Sequence, residues 1–187
     1  MEQKEKRKIR YTKMVLRDSL IELMKTKSIL SISIKDICTL ADISRSTFYA
    51  HYKDQYDLLK HTEEEILEFF EDLLENYKDK HSKKETFLML EEILTYIANN
   101  GDTIQVLLSE NGDIDFQKKL LYHFIMHKQI TKYFAESQQE EDTKPYYSVF
   151  LVHGAIGLIQ HWLKNNMAMP VSQLAKLFFK WTEPQMR

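Results

Sequence analysis

Turn-forming residues are scarce in this chain, and that limits its fold more than any other feature. Its 187 residues include four Gly and three Pro, and the first Gly is Gly101. Strand-rich folds need Gly, Pro or similar punctuation at every reversal, whereas helices joined by short polar loops do not. The expected fold class is all-α.

Composition narrows the functional classes. Apolar residues make up 43% and charged residues 29%, which suits a folded chain with a real core rather than a disordered one. Cys38 is the sole cysteine, so no disulfide framework or cysteine-based metal site can form within one chain. That suits a reducing cytoplasm. Residues 1–10 are charged and lack the apolar core of a signal peptide, and no apolar run reaches the ~18 residues of a membrane span. A cytoplasmic location with no membrane partner is therefore expected. Charge is unevenly spread. Residues 1–60 carry 13 Lys and Arg against 8 Asp and Glu, a net +5, and the remainder is net −7. A basic end on an acidic body fits either a polyanion-binding face or a solvated helix end.

Apolar spacing near 3.6 residues predicts helices over 6–25, 34–41, 45–52, 54–77, 83–99, 102–110, 113–137, 145–167 and 171–182. Ser33, with Asp36 three residues on, reads as a capping box, and Ser44 and Asp54 read as further N-caps. Ile34, Ile37, Cys38, Leu40 and Ala41 are expected to form the buried face of the second helix. Asn100-Gly101 and Asn111-Gly112 are expected left-handed stops, each followed by an Asp cap. These elements suggest an N-terminal three-helix unit over 1–54, a connecting fourth helix over 54–77 and a larger helical unit over 78–187.

The most informative stretch runs from Ile34 to Asp54: an apolar-x-x-Ile-x-x-x-Ala helix, a tight turn at Asp42-Ile43, then Ser44-Arg45-Ser46-Thr47-Phe48-Tyr49-Ala50-His51-Tyr52-Lys53-Asp54. Two short helices across a turn of three or four residues have helix-turn-helix proportions. With the basic helix upstream and Tyr56-Asp57-Leu58-Leu59 downstream, the stretch resembles the DNA-binding signature of the TetR family of bacterial regulators over about residues 7–60. Asp42 departs from the Gly often found in that turn, but Asp tolerates the left-handed conformation better than most residues. Residues 27–31 also lack the Gly usual after the first helix.

Chemistry points the same way. Ser44, Arg45, Ser46 and Thr47 are short or polar at the start of the candidate recognition helix, so its backbone can enter a major groove. Arg45 can pair with guanine in bidentate fashion, and Thr47 offers a hydroxyl and a methyl. Tyr49, His51 and Lys53 can donate to phosphates, as can Lys35 on the second helix and Lys13 on the first. Taken singly, Arg45 also reads as a solvated charge, Tyr49 as a core aromatic and His51 as a surface histidine. Their joint spacing favours double-stranded operator DNA as the partner. Phe48 and Tyr52 are expected to hold the three helices together.

Nothing in the C-terminal part reads as catalytic: there is no paired carboxylate, nucleophile-base set or Gly-rich phosphate loop. No enzyme activity and no cofactor are expected. His123 and His127 have zinc-compatible spacing, but the sequence offers no third ligand, so no metal site is expected. Gly154 and Gly157 within an apolar helix would let another helix approach closely. With Leu158, His161, Trp162, Leu174 and Phe178 they form a candidate homodimer interface, the alternative being an ordinary buried hairpin. The resemblance implies that the last two long helices dimerise, and this pair looks like a branch that includes activators of dihydroxyacetone-kinase operons. Tyr96, Phe116, His123, Phe124, Tyr147, Phe150 and His153 are candidates to line a pocket for a small hydrophobic or aromatic effector, the alternative being a filled core. The resemblance implies an N-terminal helix-turn-helix DNA-binding domain over 1–54 and a C-terminal helical ligand and dimerisation domain over 78–187, in a homodimeric repressor that binds a palindromic operator and is released by an effector. The competing reading is an activator or interaction module controlled by a partner protein.

Overall fold

The computed structural model describes residues 2–80, 82–126 and 144–182, and among these it contains helices and no strands. The helices are α1 (Glu2–Met24), α2 (Ile34–Ala41), α3 (Arg45–Tyr49), α4 (Gln55–Tyr77), α5 (Lys83–Asn99), α6 (Gly101–Leu107), α7 (Ile114–Met126), α8 (Lys144–Lys164) and α9 (Val171–Thr182), with a 3-10 turn at Ile29–Ser31. No helix here is long and apolar enough to cross a membrane. The expected end of the 113–137 helix lies outside the described residues.

The chain forms two compact units. One comprises residues 1–66 and 106–113, and the other 67–105 and 114–187. The boundary expected near residue 78 thus falls inside the second unit.

In the first unit α1 packs on α2, and α2 on α3. Leu16, Leu20, Ile21 and Met24 of α1 are buried with Ile37, Cys38 and Ala41 of α2 and Phe48 of α3. Leu40 does not join that face. It is 51% exposed, because α2 is only two turns long and Leu40 sits on its outer side. Ile9 and Met14 of α1 and Tyr56 of α4 are apolar or aromatic but exposed too.

Helix starts follow local hydrogen bonding. Ser33 Oγ accepts from the Asp36 N–H at 3.2 Å, and the Ser33 N–H donates to Asp36 Oδ2 at 3.0 Å. The Ser33 hydroxyl and N–H together hold the Asp36 carboxyl below the usual carboxylate range. Ser82 and Glu85 form the same reciprocal cap on α5.

The second unit contains α5 against α9 and α7 against α8. Its left-handed residues are Asn166 and Met167, at the end of α8, and no described glycine has a positive φ. This corrects the expectation for Gly101 and Gly112. Gly101 is already the first residue of α6, which places Asp102 inside the helix rather than at its cap.

Candidate nucleic-acid interface

The turn between α2 and α3 is built from three residues, Asp42, Ile43 and Ser44. Asp42 adopts φ 53°, ψ 43°, the left-handed conformation. The Ile43 N–H reaches back to the Cys38 carbonyl (3.0 Å) and the Asp42 N–H to that of Thr39 (3.4 Å). These two bonds are the Schellman pattern, which satisfies orphan carbonyls and turns the chain sharply. Asp replaces Gly here without loss of the turn.

Ser44 then starts α3. Its Oγ accepts from the Thr47 N–H at 3.1 Å and lies 2.8 Å from Ser46 Oγ and 2.9 Å from Thr47 Oγ1. Three short hydroxyl side chains therefore cluster at the first turn. Ser44, Arg45 and Ser46 are exposed and Thr47 is half-buried. The helix is regular only to Tyr49, although Ala50 keeps right-handed angles and the Tyr52 N–H still bonds to the Phe48 carbonyl at 3.0 Å.

Phe48 is fully buried, which fixes the orientation of α3. Burial of one such ring contributes about 1.5–3 kcal/mol. Tyr52 packs beside it with ring centroids 5.9 Å apart, and burial pushes the Tyr52 phenol up to about 12. Tyr49 takes the opposite direction. It is 58% exposed, with the edge of its ring 5.8 Å from Phe48 by centroid, so it is a surface aromatic and not a core one. His51 is half-buried with its ring 6.4 Å from Tyr52. Lys53 is exposed. Its backbone N–H donates to Asp57 Oδ2 at 2.9 Å, while the Asp57 N–H donates to Asp54 Oδ1 at 2.8 Å. Lys35 is exposed in the first turn of α2. The polar residues singled out around α3 thus lie at the surface of one small unit, held by a buried aromatic base.

The residues read as an effector pocket are not gathered in this way. Tyr96 stacks face to face on Phe69 at 3.5 Å and meets the edge of Phe70, and Phe116 is buried. Tyr147 is half-buried. Phe150 is 72% exposed and His153 is exposed, its Nδ1 lying 2.8 Å from the Val149 carbonyl of its own helix. Phe150 and His153 share the outer face of α8 with Gly154, Gly157 and His161, opposite the buried Val152 and Leu163. Phe116, by contrast, is buried. The side chains of His123 and Phe124, and all of His127, lie outside the described residues.

The candidate dimer residues also divide. Gly154, Gly157 and His161 are exposed and Leu158 is half-buried. A Cβ added at either glycine would meet nothing within 4 Å. Trp162, Leu174 and Phe178 are instead buried within their own chain, and Trp162 Nε1 donates to the Met169 carbonyl at 2.8 Å.

Comparison with known proteins agrees with this architecture. A family model described as the C-terminal region of a transcriptional regulator, of the TetR type, matches residues 84–183. Among solved structures, a TetR transcriptional regulator from Streptococcus agalactiae is 24% identical, with a TM-score of 0.64, covering 98% of this chain and 99% of its own. The transcriptional regulator FadR from Bacillus subtilis, solved with stearoyl-CoA, is 16% identical (TM-score 0.66, covering 93% and 99%). The dihydroxyacetone kinase operon activator DhaS is 16% identical (TM-score 0.54, covering 91% and 93%). No curated protein sequence matches the chain. Regulators of this kind are transcription factors and not enzymes. The chain belongs to the TetR family of DNA-binding transcriptional regulators.

Proposed function

We propose that this regulator acts as a homodimer on a palindromic operator, with α3 of each subunit in a major groove. The observation that carries the reading is the exposed Ser44, Arg45 and Ser46, with half-buried Thr47, above a fully buried Phe48. Arg45 reads guanine, and each good bidentate pair is worth ~1–3 kcal/mol of discrimination. Thr47 contacts a phosphate or a thymine methyl. Tyr49, His51, Lys53 and Lys35 hold the backbone and set register without reading sequence. The outer face of α8, with Gly154 and Gly157 open to close approach, supports pairing with a second copy. In a dimer the two half-sites lie ~34–36 Å apart, or a multiple of that.

Repression relieved by an effector in the C-terminal unit is the primary reading of the regulatory sign. FadR from Bacillus subtilis was solved with an acyl-CoA, which makes a long apolar ligand a reasonable class for screening. A second reading is control by a partner protein. The stacking of Tyr96 on Phe69 favours it, because one candidate pocket residue is already filled by an aromatic ring. DhaS is named an operon activator, so the fold is compatible with either sign.

Two measurements test the core of the proposal. Sedimentation equilibrium should return the mass of two subunits. Titration of a labelled random duplex at ~50 mM salt should show binding that weakens steeply as salt rises. A monomer, or a chain that ignores duplex DNA at that salt, contradicts it.

A further inference from the structure

We propose that Asn111 is a site of spontaneous deamidation, a modification that the fold restrains and whose product releases residues 106–113 from the end of α1.

Two of the four glycines follow an asparagine, in Asn100-Gly101 and Asn111-Gly112. Asparagine before glycine is the arrangement most open to attack on its own side chain, because glycine places no Cβ beside its nitrogen and leaves the backbone free to bend. The Gly112 nitrogen loses its proton and bonds to Cγ of Asn111. The Cγ–Nδ2 bond breaks, and Nδ2 leaves with that proton as ammonia. Water then opens the cyclic imide to aspartate or isoaspartate. The step needs water alone, and nothing is oxidised or reduced.

Two separate demands of the packing place this reactive pair where it stands. A Cβ on residue 112 would run into the Leu107 carbonyl, which calls for glycine. The Asn111 amide donates to the Met24 carbonyl at 3.1 Å, which calls for a short side chain with an N–H.

The same contacts hold the reaction back. The Gly112 N–H, which must give up its proton, donates to the Ser109 carbonyl at 3.1 Å. Nδ2, which must leave, is the atom bonded to Met24. The Asn111 N–H donates to Ser109 Oγ at 3.1 Å, and that hydroxyl donates to the Val106 carbonyl at 2.7 Å. Reaction therefore waits for local opening of this turn, where Asn111 and Gly112 are half-buried over buried Val106, Leu107 and Leu108.

The product cannot remake the tie. A carboxylate oxygen stands where Nδ2 stood and faces the Met24 carbonyl as a second acceptor. The carbonyls that end a helix form its negative pole. The last turn of α1 has no basic residue, and Lys25 just beyond it lies 2.8 Å from Glu22. Repulsion replaces a hydrogen bond inside the unit that carries α3. Isoaspartate also lengthens the backbone at this turn.

The test ages the full-length chain at mildly alkaline pH, folded or in denaturing urea, and follows the amide-to-acid mass gain at Asn111 by peptide mapping. Conversion should be at least ~10-fold slower in the folded chain. Ser109→Ala removes the acceptor of the Asn111 N–H and should convert at least ~3-fold faster than folded wild type. Asn100, whose amide donates to the Tyr96 carbonyl at 2.9 Å, is the internal reference and should keep its rate. Circular dichroism reports whether that variant folds, and the wild-type comparison stands without it. Asn111→Asp should melt below Asn111→Ala, because a carboxylate repels where alanine only omits a bond. No conversion at Asn111 even in urea overturns the site. Equal rates folded and in urea overturn the restraint, as does a folded Ser109→Ala that ages like wild type or speeds Asn100 equally. An Asn111→Asp variant that melts with wild type overturns the release.

Discussion

The Asn111 side-chain amide donates to the Met24 carbonyl at 3.1 Å, across 87 residues of chain. Met24 closes α1, and the last carbonyls of a helix have no partner within it. Residues 106–113 thereby belong to the same compact unit as the candidate DNA-binding helices, although the chain reaches them only after α5. Val106, Leu107 and Leu108 are buried there. Asn111→Ala should cost about 1 kcal/mol, the net worth of one hydrogen bond. A thermal melt should show this as a fall of about 2–4 °C for a chain of this size. An unchanged melting temperature would mean that the bond contributes nothing in solution.

Gly112 and Gly154 should respond oppositely to alanine. A Cβ on Gly112 would run into the backbone carbonyl of Leu107, an atom that cannot swing aside. Gly112→Ala should therefore destabilise the chain by about 1–3 kcal/mol. A Cβ on Gly154 or Gly157 meets nothing in the subunit, where Ala raises helix propensity by about 1 kcal/mol. If α8 faces a second copy, the same methyl groups hold the helices apart, and Gly154→Ala/Gly157→Ala should dissociate at least ~10-fold more readily, about 1.4 kcal/mol. Sedimentation over a concentration series reads this. A variant that dimerises as tightly as the wild type places the interface elsewhere.

Asp42 tests the turn. Its left-handed backbone is costly for side chains in general, less so for Asp, and free for Gly. Asp42→Gly should melt at or above the wild-type temperature and bind DNA equally well. Asp42→Val should lose roughly 1–3 kcal/mol, because a branched side chain resists that conformation. Equal stability of the two variants would contradict the assigned turn geometry.

Tyr52 gives the chain an alkaline limit. Its phenol is raised to about 12, first by burial and then by the carboxylates of Glu65 and Asp57, with Arg17 opposing. Tyr77 is likewise raised to about 12, by burial and its hydrogen bond to Glu92. Between pH 10 and 12 the unfolded chain loses these protons while the folded chain keeps them. Stability is therefore complete below pH 10 and declines across that window. Denaturant melts at pH 9, 10 and 11 should show the fall, and it should be shallower in Tyr52→Phe, which keeps the ring against Phe48. A pH dependence identical to the wild type would place the Tyr52 hydroxyl in water.

Much of this was legible in the sequence where the cause is local. Caps at Ser33 and Ser44 need a side chain and a backbone group three residues apart, and the sequence displays both. The burial of Phe48 and Tyr52 followed from their place in the motif. Long-range causes were hidden. Nothing near Asn111 announces Met24 as its partner. Leu40 shares the helical period of its buried neighbours, yet α2 is too short to cover it. Trp162 and Phe150 look equally apolar in sequence, and only the rotation of α8 sends one inward and the other outward.

The most direct test of the central claim is selection of DNA from a random pool at ~150 mM salt, run in parallel with wild type and Arg45→Ala. The account expects wild type to enrich a palindrome with half-site centres ~34–36 Å apart, or a multiple of that. It expects Arg45→Ala to lose preference at a guanine in each half while the rest of the site persists. A folded wild-type dimer that enriches no sequence, or an Arg45→Ala variant that selects the same site unchanged, would contradict it.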